Sequence, residues 1–339
     1  MLVANISAEN SGEAPIQERL AIRLNFENMT VAPPATDDAL KADAATAAGT
    51  IHSDVTLALA KKESAEHMVG MKELFEMMRH KRLRVKAYAM DDPEAPSPAS
   101  NANVKVSHFV RHGQGFHNLM ADMVTSHGRT WKQFEKSPNN PYTMPELLDS
   151  PLTDKGRKQA YLLQPRVQSI MQSKGNEHKA QPIQLVISSP NCRALQTAAI
   201  VFEQLVPDES IPFLSHEMVR EETGVHICDK RRPTARQQAE FPRFDFSLLL
   251  TDAQTDGDPI YNEHARETKQ QVGERIYQFM EWLHKRPEQH IAVASHSGWL
   301  LTLFNGICEC NDTHTASLSL QDWFQTGEMR SVVLEFLEQ

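Results

Sequence analysis

The sequence is poor in cysteine, with four residues in a chain of 339, which excludes the disulfide-dense scaffold of a small secreted protein. Long apolar runs are also missing, because no stretch approaches the roughly 18 consecutive apolar residues that indicate a transmembrane helix. The N-terminus lacks a basic segment followed by an apolar one, and its acidic residues argue against an organelle transit peptide. We therefore expect a reduced, cytoplasmic protein that has no membrane partner.

The chain also lacks an excess of positive charge. It has 35 lysines and arginines against 44 acidic residues, which gives a formal net charge of -9. Because a nucleic-acid-binding domain is usually basic, we expect no nucleic-acid partner. Hydrophobic residues make up 40% of the 339 positions, which is enough to build one large domain or two smaller ones.

The first hundred residues differ from the rest in composition. Residues 1–62 are rich in Ala, Thr, Asp and Glu, and they read as flexible apart from one short helix. Methionines and a phenylalanine at spacings of three and four predict a second helix over residues 64–82. Three prolines mark residues 91–100 as a linker. We therefore predict an N-terminal extension over residues 1–100, flexible with one or two helices, and a catalytic domain over residues 101–339.

From residue 104 onward, strand patterns alternate with helix patterns. The predicted strands span 104–110, 183–188, 290–295 and 331–337, and the predicted helices span 154–169, 191–205 and 268–283, with another from 299. Such alternation is typical of a largely parallel sheet with helices on both faces. We predict an α/β fold, a three-layer α/β/α sandwich.

Three of these strands end in residues that carry chemistry. Arg111 and His112 follow the first strand, Arg193 follows the second, and His296 follows the third. The carboxyl ends of parallel strands meet at one edge of a sheet, so we expect these side chains to converge. The paired N–H donors of an arginine guanidinium and the free N–H groups of a helix N-terminus both bind phosphate well, so the pattern predicts an anion-binding site.

The predicted site has the parts that phosphoryl transfer needs. A neutral imidazole attacks phosphorus, and the arginines stabilise the charge of the transition state. The departing oxygen then needs a proton, which either Glu221 or Glu222, in the polar stretch between the second and third strands, is placed to supply. Because the arginines and histidines already supply positive charge, we expect neither a metal nor another cofactor.

Taken together, these residues resemble the histidine phosphatase superfamily, also called the phosphoglycerate mutase-like family. The resemblance covers roughly residues 104–338 and rests on four motifs in the family's order. They are Arg111-His112-Gly113 with Asn118, the Leu-Thr-x-x-Gly-x-x-Gln-Ala pattern at 152–160, the Ser-Pro-x-x-Arg-Ala-x-Gln-Thr-Ala pattern at 189–198, and Ala294-Ser295-His296-Ser297-Gly298.

The resemblance assigns a role to each of these residues. It implies that His112 is the phosphorylated nucleophile and that phosphate is held by Arg111, Arg193 and His296, with help from Asn118. Glu221 matches the acid of an Arg-Glu-x-x-Gly form of the family, and Glu222 stays as the alternative. The resemblance also implies a phosphoglycerate mutase-like fold, and the segment 119–150, which is longer than in compact members, predicts an unusual roof over the pocket.

The basic residues Lys230, Arg231 and Arg232 closely follow the predicted acid. In phosphoglycerate mutases, basic residues of this region hold the substrate's carboxylate and second phosphate, so we expect these three to bind a second anionic group. The alternative is a solvated charge run. His117 is a further candidate for the pocket, with an incidental position as its alternative.

These observations predict a phosphomonoester hydrolase that acts through a phosphohistidine on a small phosphorylated metabolite. Two alternatives stay open at this point. The first is a phosphoglycerate-type mutase that uses the same site, and the second is a non-catalytic regulatory protein on the same fold.

Overall fold

An eight-stranded sheet forms the centre of the molecule. The computed structural model describes residues 36–47, 68–126, 140–172, 182–250, 257–311 and 319–339. The strands are β1 (Leu83–Ala89), β2 (Val104–Arg111), β3 (Leu185–Ser188), β4 (Phe213–His216), β5 (Asp245–Leu248), β6 (His290–Ser295), β7 (Cys308–Asn311) and β8 (Met329–Glu338). Their order across the sheet is β5-β4-β3-β6-β2-β8-β1-β7. β8 runs antiparallel to its neighbours β1 and β2, and every other pair is parallel.

Helices lie on both faces of this sheet. They are α1 (Asp37–Ala47), α2 (Met71–Met78), α3 (Phe116–Ser126), α4 (Asp154–Gln172), α5 (Cys192–Ala198), α6 (Thr234–Glu240), α7 (Lys269–His284) and α8 (Ser297–Thr302). One hydrophobic core joins the sheet to α2, α7 and α8, and a second core joins the opposite face to α4 and α5. The predicted three-layer α/β/α sandwich is confirmed.

The central strands β3 and β6 are buried because their sequences are largely apolar on both faces, and β2 beside them also contributes to both cores. In β2, Phe109 belongs to the first core, and the next residue, Val110, belongs to the second. Successive side chains of a strand point to opposite faces, so each central strand contributes to both cores. An apolar run without polar alternation is the pattern expected for a parallel sheet covered by helices on both sides.

The sheet extends beyond the boundary that we predict at residue 101. β1 pairs with both β7 and β8, and α2 packs beneath it, so the N-terminal extension as predicted includes a strand and a helix of the main core. The strand is hard to recognise in the sequence because basic residues stand at positions 79, 81, 82, 84 and 86. Leu83, Val85 and Ala87 are buried, whereas Arg84 points the other way and pairs with Glu309 on β7.

Helix α1 lies within the segment that composition marks as flexible. Its Leu40 is buried and packs against Tyr161 of α4, and Lys41 lies over the same tyrosine ring. Asp37 pairs with Arg157 of α4. The rest of residues 1–62 lies outside the described residues. Within the described ranges, every helix is too short or too polar to cross a bilayer.

Candidate active site

The carboxyl ends of β2, β3 and β6 meet at one edge of the sheet. The backbone N–H of His112 donates to the Ser295 carbonyl at 3.0 Å, and that of Ser189 donates to the Ala294 carbonyl at 2.9 Å. The sheet hydrogen bonds therefore continue one residue beyond the strands. They fix the relative positions of the three loops that carry His112, Arg193 and His296.

His112 is held as one neutral tautomer. Its Nδ1 lies 2.6 Å from the Gly113 carbonyl, and Arg193 Nε donates to its Nε2 at 3.2 Å. A carbonyl only accepts, so Nδ1 carries the proton and Nε2 carries a lone pair. Burial, followed by the nearby charges of Arg193 and Arg111, holds the pKa of His112 well below its usual value. A neutral imidazole with an unprotonated Nε2 is a competent nucleophile.

Arg193 is buried and its guanidinium is fixed by a carboxylate. Nη1 donates to the Cys228 carbonyl at 2.6 Å, and Nη2 donates to Asp229 at 2.8 Å. Asp229 also accepts from Arg266 at 2.8 Å. Although burial raises the pKa of Asp229, Arg266 and Arg193 outweigh it and hold that pKa below its usual value. The sequence analysis missed Asp229 because it stands at the start of the basic run and reads as part of it.

Arg111 and His296 complete this side of the site. Arg111 donates to the Phe324 carbonyl at 2.6 Å and lies 5.5 Å from the ring centre of Trp323. The ring of His296 lies 5.0 Å from that of His112, and its Nε2 lies 2.8 Å from Ser189 Oγ. The structure therefore brings together the two arginines and two histidines that the sequence places after strand ends.

The glycines of two motifs explain why these motifs occur together. A Cβ on Gly113 would collide with the carbonyl of Gly156, in the first turn of α4. The loop after β2 thus packs directly on α4, at a separation that only glycine permits. Asn118 supports the same loop, because its side-chain oxygen accepts from the Gly115 N–H at 3.0 Å.

The carboxylate of Glu221 lies at the N-terminus of α8, the helix that directly follows His296. The carboxylate accepts hydrogen bonds from the backbone N–H groups of Gly298 and Trp299, both at 3.1 Å. A Cβ on Gly298 would lie 2.5 Å from Oε1 of Glu221, so glycine is needed for this approach. The free N–H groups at a helix N-terminus are natural partners for a carboxylate.

Glu222 points to different partners. It pairs with Lys269 at 2.7 Å and with Arg266 at 3.5 Å. Burial raises its pKa, but Lys269 and Arg266 outweigh this effect and lower the pKa below its usual value. A carboxylate held in its charged form by two cations is poorly suited to donate a proton. Of the two candidates for the acid, Glu221 is the one that contacts the turn of His296.

The backbone around Glu221 is fastened by buried side chains from distant elements. Arg275 of α7 donates to the carbonyls of Met218, Arg220 and Glu221 at 3.0, 3.1 and 3.2 Å, and it also pairs with Glu267. Trp299 donates from its indole to the Met218 carbonyl at 2.8 Å. Arg275 was not singled out by the sequence, because nothing in α7 links it to this loop.

The three predicted anion-binding residues separate in the structure. Arg231 is buried, with its Nε 3.4 Å from Glu217, and Arg232 pairs with Asp149 and Glu240 at 3.1 and 2.9 Å. A buried guanidinium needs a carboxylate partner, and protein carboxylates fill that need here. The predicted role of Arg231 and Arg232 in substrate binding is therefore not supported. Lys230 is half-buried and lies 5.1 Å from the ring centre of Tyr261.

Comparison with known proteins agrees with this geometry. A family model described as the histidine phosphatase superfamily, branch 1, matches residues 108–323, more than half of the chain. The chain belongs to this superfamily. The matched residues include His112, Arg193, Glu221 and His296, so these four side chains of the site lie within the superfamily region.

Several relatives in the superfamily are named after phosphoglycerate mutase. Phosphoglycerate mutase-like protein 1 from Arabidopsis thaliana is 31% identical over 255 residues, which are 68% of this chain and 81% of that protein. A second Arabidopsis phosphoglycerate mutase-like protein is 29% identical over 68% of this chain and 84% of its own length. A crystal structure of phosphoglycerate mutase from Bacillus anthracis is 15% identical and covers 71% of this chain and 94% of that one, with a TM-score of 0.39.

Another relative in the superfamily has a phosphatase name. A probable phosphatase from Schizosaccharomyces pombe is 26% identical over 218 residues, covering 63% of this chain and 84% of that protein. The superfamily relatives of this chain thus include both phosphatases and mutase-like proteins. Within the described ranges, no three histidine, cysteine, aspartate or glutamate side chains are grouped as ligands for a metal.

Proposed function

We propose that this protein is a phosphomonoester hydrolase that works through a phosphohistidine on His112. The observation that carries the proposal is the state of His112. Its Nδ1 is tied to the Gly113 carbonyl, and its Nε2 lone pair faces the guanidinium of Arg193. An anion that binds this guanidinium therefore lies next to the nucleophilic nitrogen.

The first half of the reaction transfers the phosphoryl group to the protein. Nε2 of His112 forms a bond to phosphorus while the ester P–O bond breaks, and the electron pair of that bond leaves with the substrate oxygen. Arg193, Arg111 and His296 stabilise the phosphoryl oxygens in the transition state. Glu221, as the general acid, gives a proton to the departing oxygen, so the alcohol leaves neutral.

The second half returns the protein to its starting state. A water molecule gives a proton to Glu221 and attacks phosphorus as the N–P bond breaks, which releases inorganic phosphate and restores the neutral His112. In a mutase the attacking oxygen is a second hydroxyl of the retained product, and the same residues serve. The mutase-like names of the Arabidopsis relatives make this reaction the second candidate.

Lys230 is the cation of this region best placed to select among substrates. Its ammonium lies against Tyr261, and no carboxylate partner is found for it among the described residues. A substrate with a second anionic group would supply that partner. We therefore expect a small phosphorylated metabolite with a second negative group rather than a simple alkyl phosphate.

The decisive experiment measures two products from one panel of substrates. Purified protein is incubated with phosphorylated metabolites, including phosphoglycerates, and free phosphate and isomerised product are scored separately. Release of phosphate together with an acid-labile, alkali-stable label on the wild type, and no label on His112→Asn, supports the proposal. Isomerisation without release would favour the mutase, and turnover without label would reject the phosphohistidine. Treatment with a chelator should leave the rate unchanged.

A further inference from the structure

A third histidine, His117, lies beside the nucleophile. It belongs to the first turn of α3 and is 6% exposed. Its ring centre lies 5.6 Å from that of His112 on one side and 5.6 Å from that of Tyr142 on the other. Tyr142 in turn packs edge-to-face with His226 at 5.1 Å. The row of rings fixes the position of the His117 imidazole against the nucleophile.

The imidazole of His117 has no hydrogen-bond partner among the described residues. Its Nδ1 is buried without one and lies over Gly115, where a Cβ would come within 2.8 Å of that nitrogen. His112 and His296 differ in this respect, because each has a ring nitrogen bonded to Gly113 or to Ser189. Only Nδ1 of this ring is both fully buried and without a partner, so Nε2 is the nitrogen that is left open to a ligand.

The charge state of His117 determines what it offers to a ligand. Burial, followed by the nearby charge of Arg193, holds its pKa well below the usual value, so the ring is neutral. A neutral imidazole carries one proton. Nδ1 lies against Gly115 and has no hydrogen-bond partner among the described residues, and a buried N–H without an acceptor is rarer than an unfilled acceptor. The proton therefore belongs on Nε2, which makes that nitrogen a donor.

We infer that His117 is a substrate-binding residue whose Nε2–H donates to an oxygen of the phosphoryl group held at His112. The inference rests on the proposed function, since it assigns a further donor to the same phosphoryl group. The residue forms no bond to phosphorus and moves no proton. It adds a neutral donor to the charged donors of Arg111 and Arg193, and it contacts the part of the substrate that all phosphomonoesters share.

Three substitutions separate hydrogen bonding from packing. His117→Phe keeps a ring between His112 and Tyr142 but removes the donor, His117→Gln keeps a donor, and His117→Ala removes both. We expect kcat/KM to fall about 10–100-fold in the Phe and Ala variants, by a similar factor for aryl and alkyl phosphates, which corresponds to about 1.4–2.7 kcal/mol. The Gln variant should recover most of the loss. Activity kept in the Phe variant but lost in the Gln and Ala variants would mean that the ring only packs. Equal losses in all three variants, or rates within twofold of wild type, would also reject the inference.

The matched control is His290→Phe. His290 is also a buried histidine whose Nδ1 lacks a partner among the described residues, but it lies at the opposite end of β6 from the site. Its variant should lose stability without a change in kinetics, measured by denaturant unfolding and by the same assays. A loss of activity there equal to that of His117→Phe would show that the effect comes from the fold.

Binding of orthovanadate separates this inference from the proposed function. Calorimetry on wild type and His117→Phe requires no turnover, and we expect affinity to fall about tenfold in the variant. If the wild type hydrolyses nothing but this difference is found, the hydrolase proposal falls and the role of His117 in binding stands. If the wild type is active and His117→Phe binds orthovanadate as tightly as wild type does, the inference about His117 falls alone.

Discussion

The two sides of the active site are built in different ways. The nucleophile side comprises Arg111, His112, Arg193 and His296. These residues lie at or shortly after the carboxyl ends of three neighbouring strands, so the register of the sheet places them. The acid side, residues 217–232, is a loop without regular sheet pairing, and long side chains from distant elements hold it. On the first side the sheet fixes the backbone and only the guanidinium of Arg193 depends on a buried ion pair, with Asp229, whereas the second side is held by buried ion pairs throughout.

This difference predicts different responses to mutation. A change to His112 or His296 on the nucleophile side removes a chemical group from a scaffold that stays in place. A change on the acid side also loosens the scaffold, because a buried ion pair that loses one partner leaves an uncompensated charge. Activity and stability should therefore separate for these two histidines and fall together on the acid side.

The largest expected effect is that of His112→Ala. Loss of the nucleophile should reduce turnover by about 10³-fold or more, equivalent to about 4 kcal/mol of activation free energy. The denaturant midpoint should change little in comparison, since the backbone of His112 is held by sheet hydrogen bonds. Steady-state assays measure the turnover, and urea unfolding measures the midpoint. Residual activity within tenfold of wild type would contradict the assignment of His112 as the nucleophile.

The next effect, on the acid side, is that of Arg275→Met. Without the three hydrogen bonds to the Glu221 segment, we expect kcat for alkyl phosphates to fall about 10²-fold, because small displacements of a catalytic group have effects of that size. Aryl phosphates, whose leaving oxygen needs less help from an acid, should lose much less. The difference between the two substrates identifies a positioning role, and stability should fall as well. Equal losses for both substrates would contradict this role.

A smaller effect distinguishes residues within the basic run. Lys230→Ala should raise KM about tenfold for a substrate with a second anionic group, since a sheltered charge-assisted hydrogen bond contributes about 1.5–3 kcal/mol. The KM of an aryl phosphate without a second charged group should stay unchanged. Arg232→Ala should instead lower the free energy of unfolding, because Asp149 and Glu240 lose their cation. If Arg232→Ala raised KM selectively and left stability intact, our separation of these residues would be wrong.

The smallest effect on activity should come from α1. Leu40→Ser removes the apolar contact with Tyr161 of α4 and should lower the free energy of unfolding by about 2 kcal/mol. Turnover should stay within a few-fold of wild type, because Gly113 and Gly156 hold α4 against the nucleophile loop without help from α1. The exposed Asp38→Ser serves as the control. A large loss of activity in Leu40→Ser would show that the nucleophile side depends on the extension.

The comparison of the two sides also explains what the sequence reveals. Strand β6 is predicted with its observed bounds, and the neighbouring motif residues then follow from the parallel arrangement of the strands. The choice between Glu221 and Glu222 depends instead on partners 77 and 47 residues away, at Gly298 and Lys269, which no local pattern indicates. The structural role of Arg231 and Arg232 could not be predicted for the same reason, since arginines in buried ion pairs and arginines in a solvent-exposed charged segment look alike in the sequence.

The fold shows the same limit. β4, β5 and β7 have four residues each, too few for a reliable alternation pattern. β1 contains Arg84 and Lys86 between its apolar residues, so the sequence indicates a basic segment rather than a strand. Both are cases in which pairing with a neighbouring strand, rather than local sequence preference, determines the structure.

The position of β8 has a consequence for biosynthesis. This strand, near the C-terminus, lies between β1 and β2, which come from the first third of the chain. At roughly 5–20 residues per second, the ribosome needs on the order of 10–50 s after β1 to produce β8. Throughout that interval β1 has no β8 beside it, and its unpaired edge is open to aggregation. We therefore expect the nascent chain to need protection of this edge, by the ribosome or by chaperones, until β8 emerges.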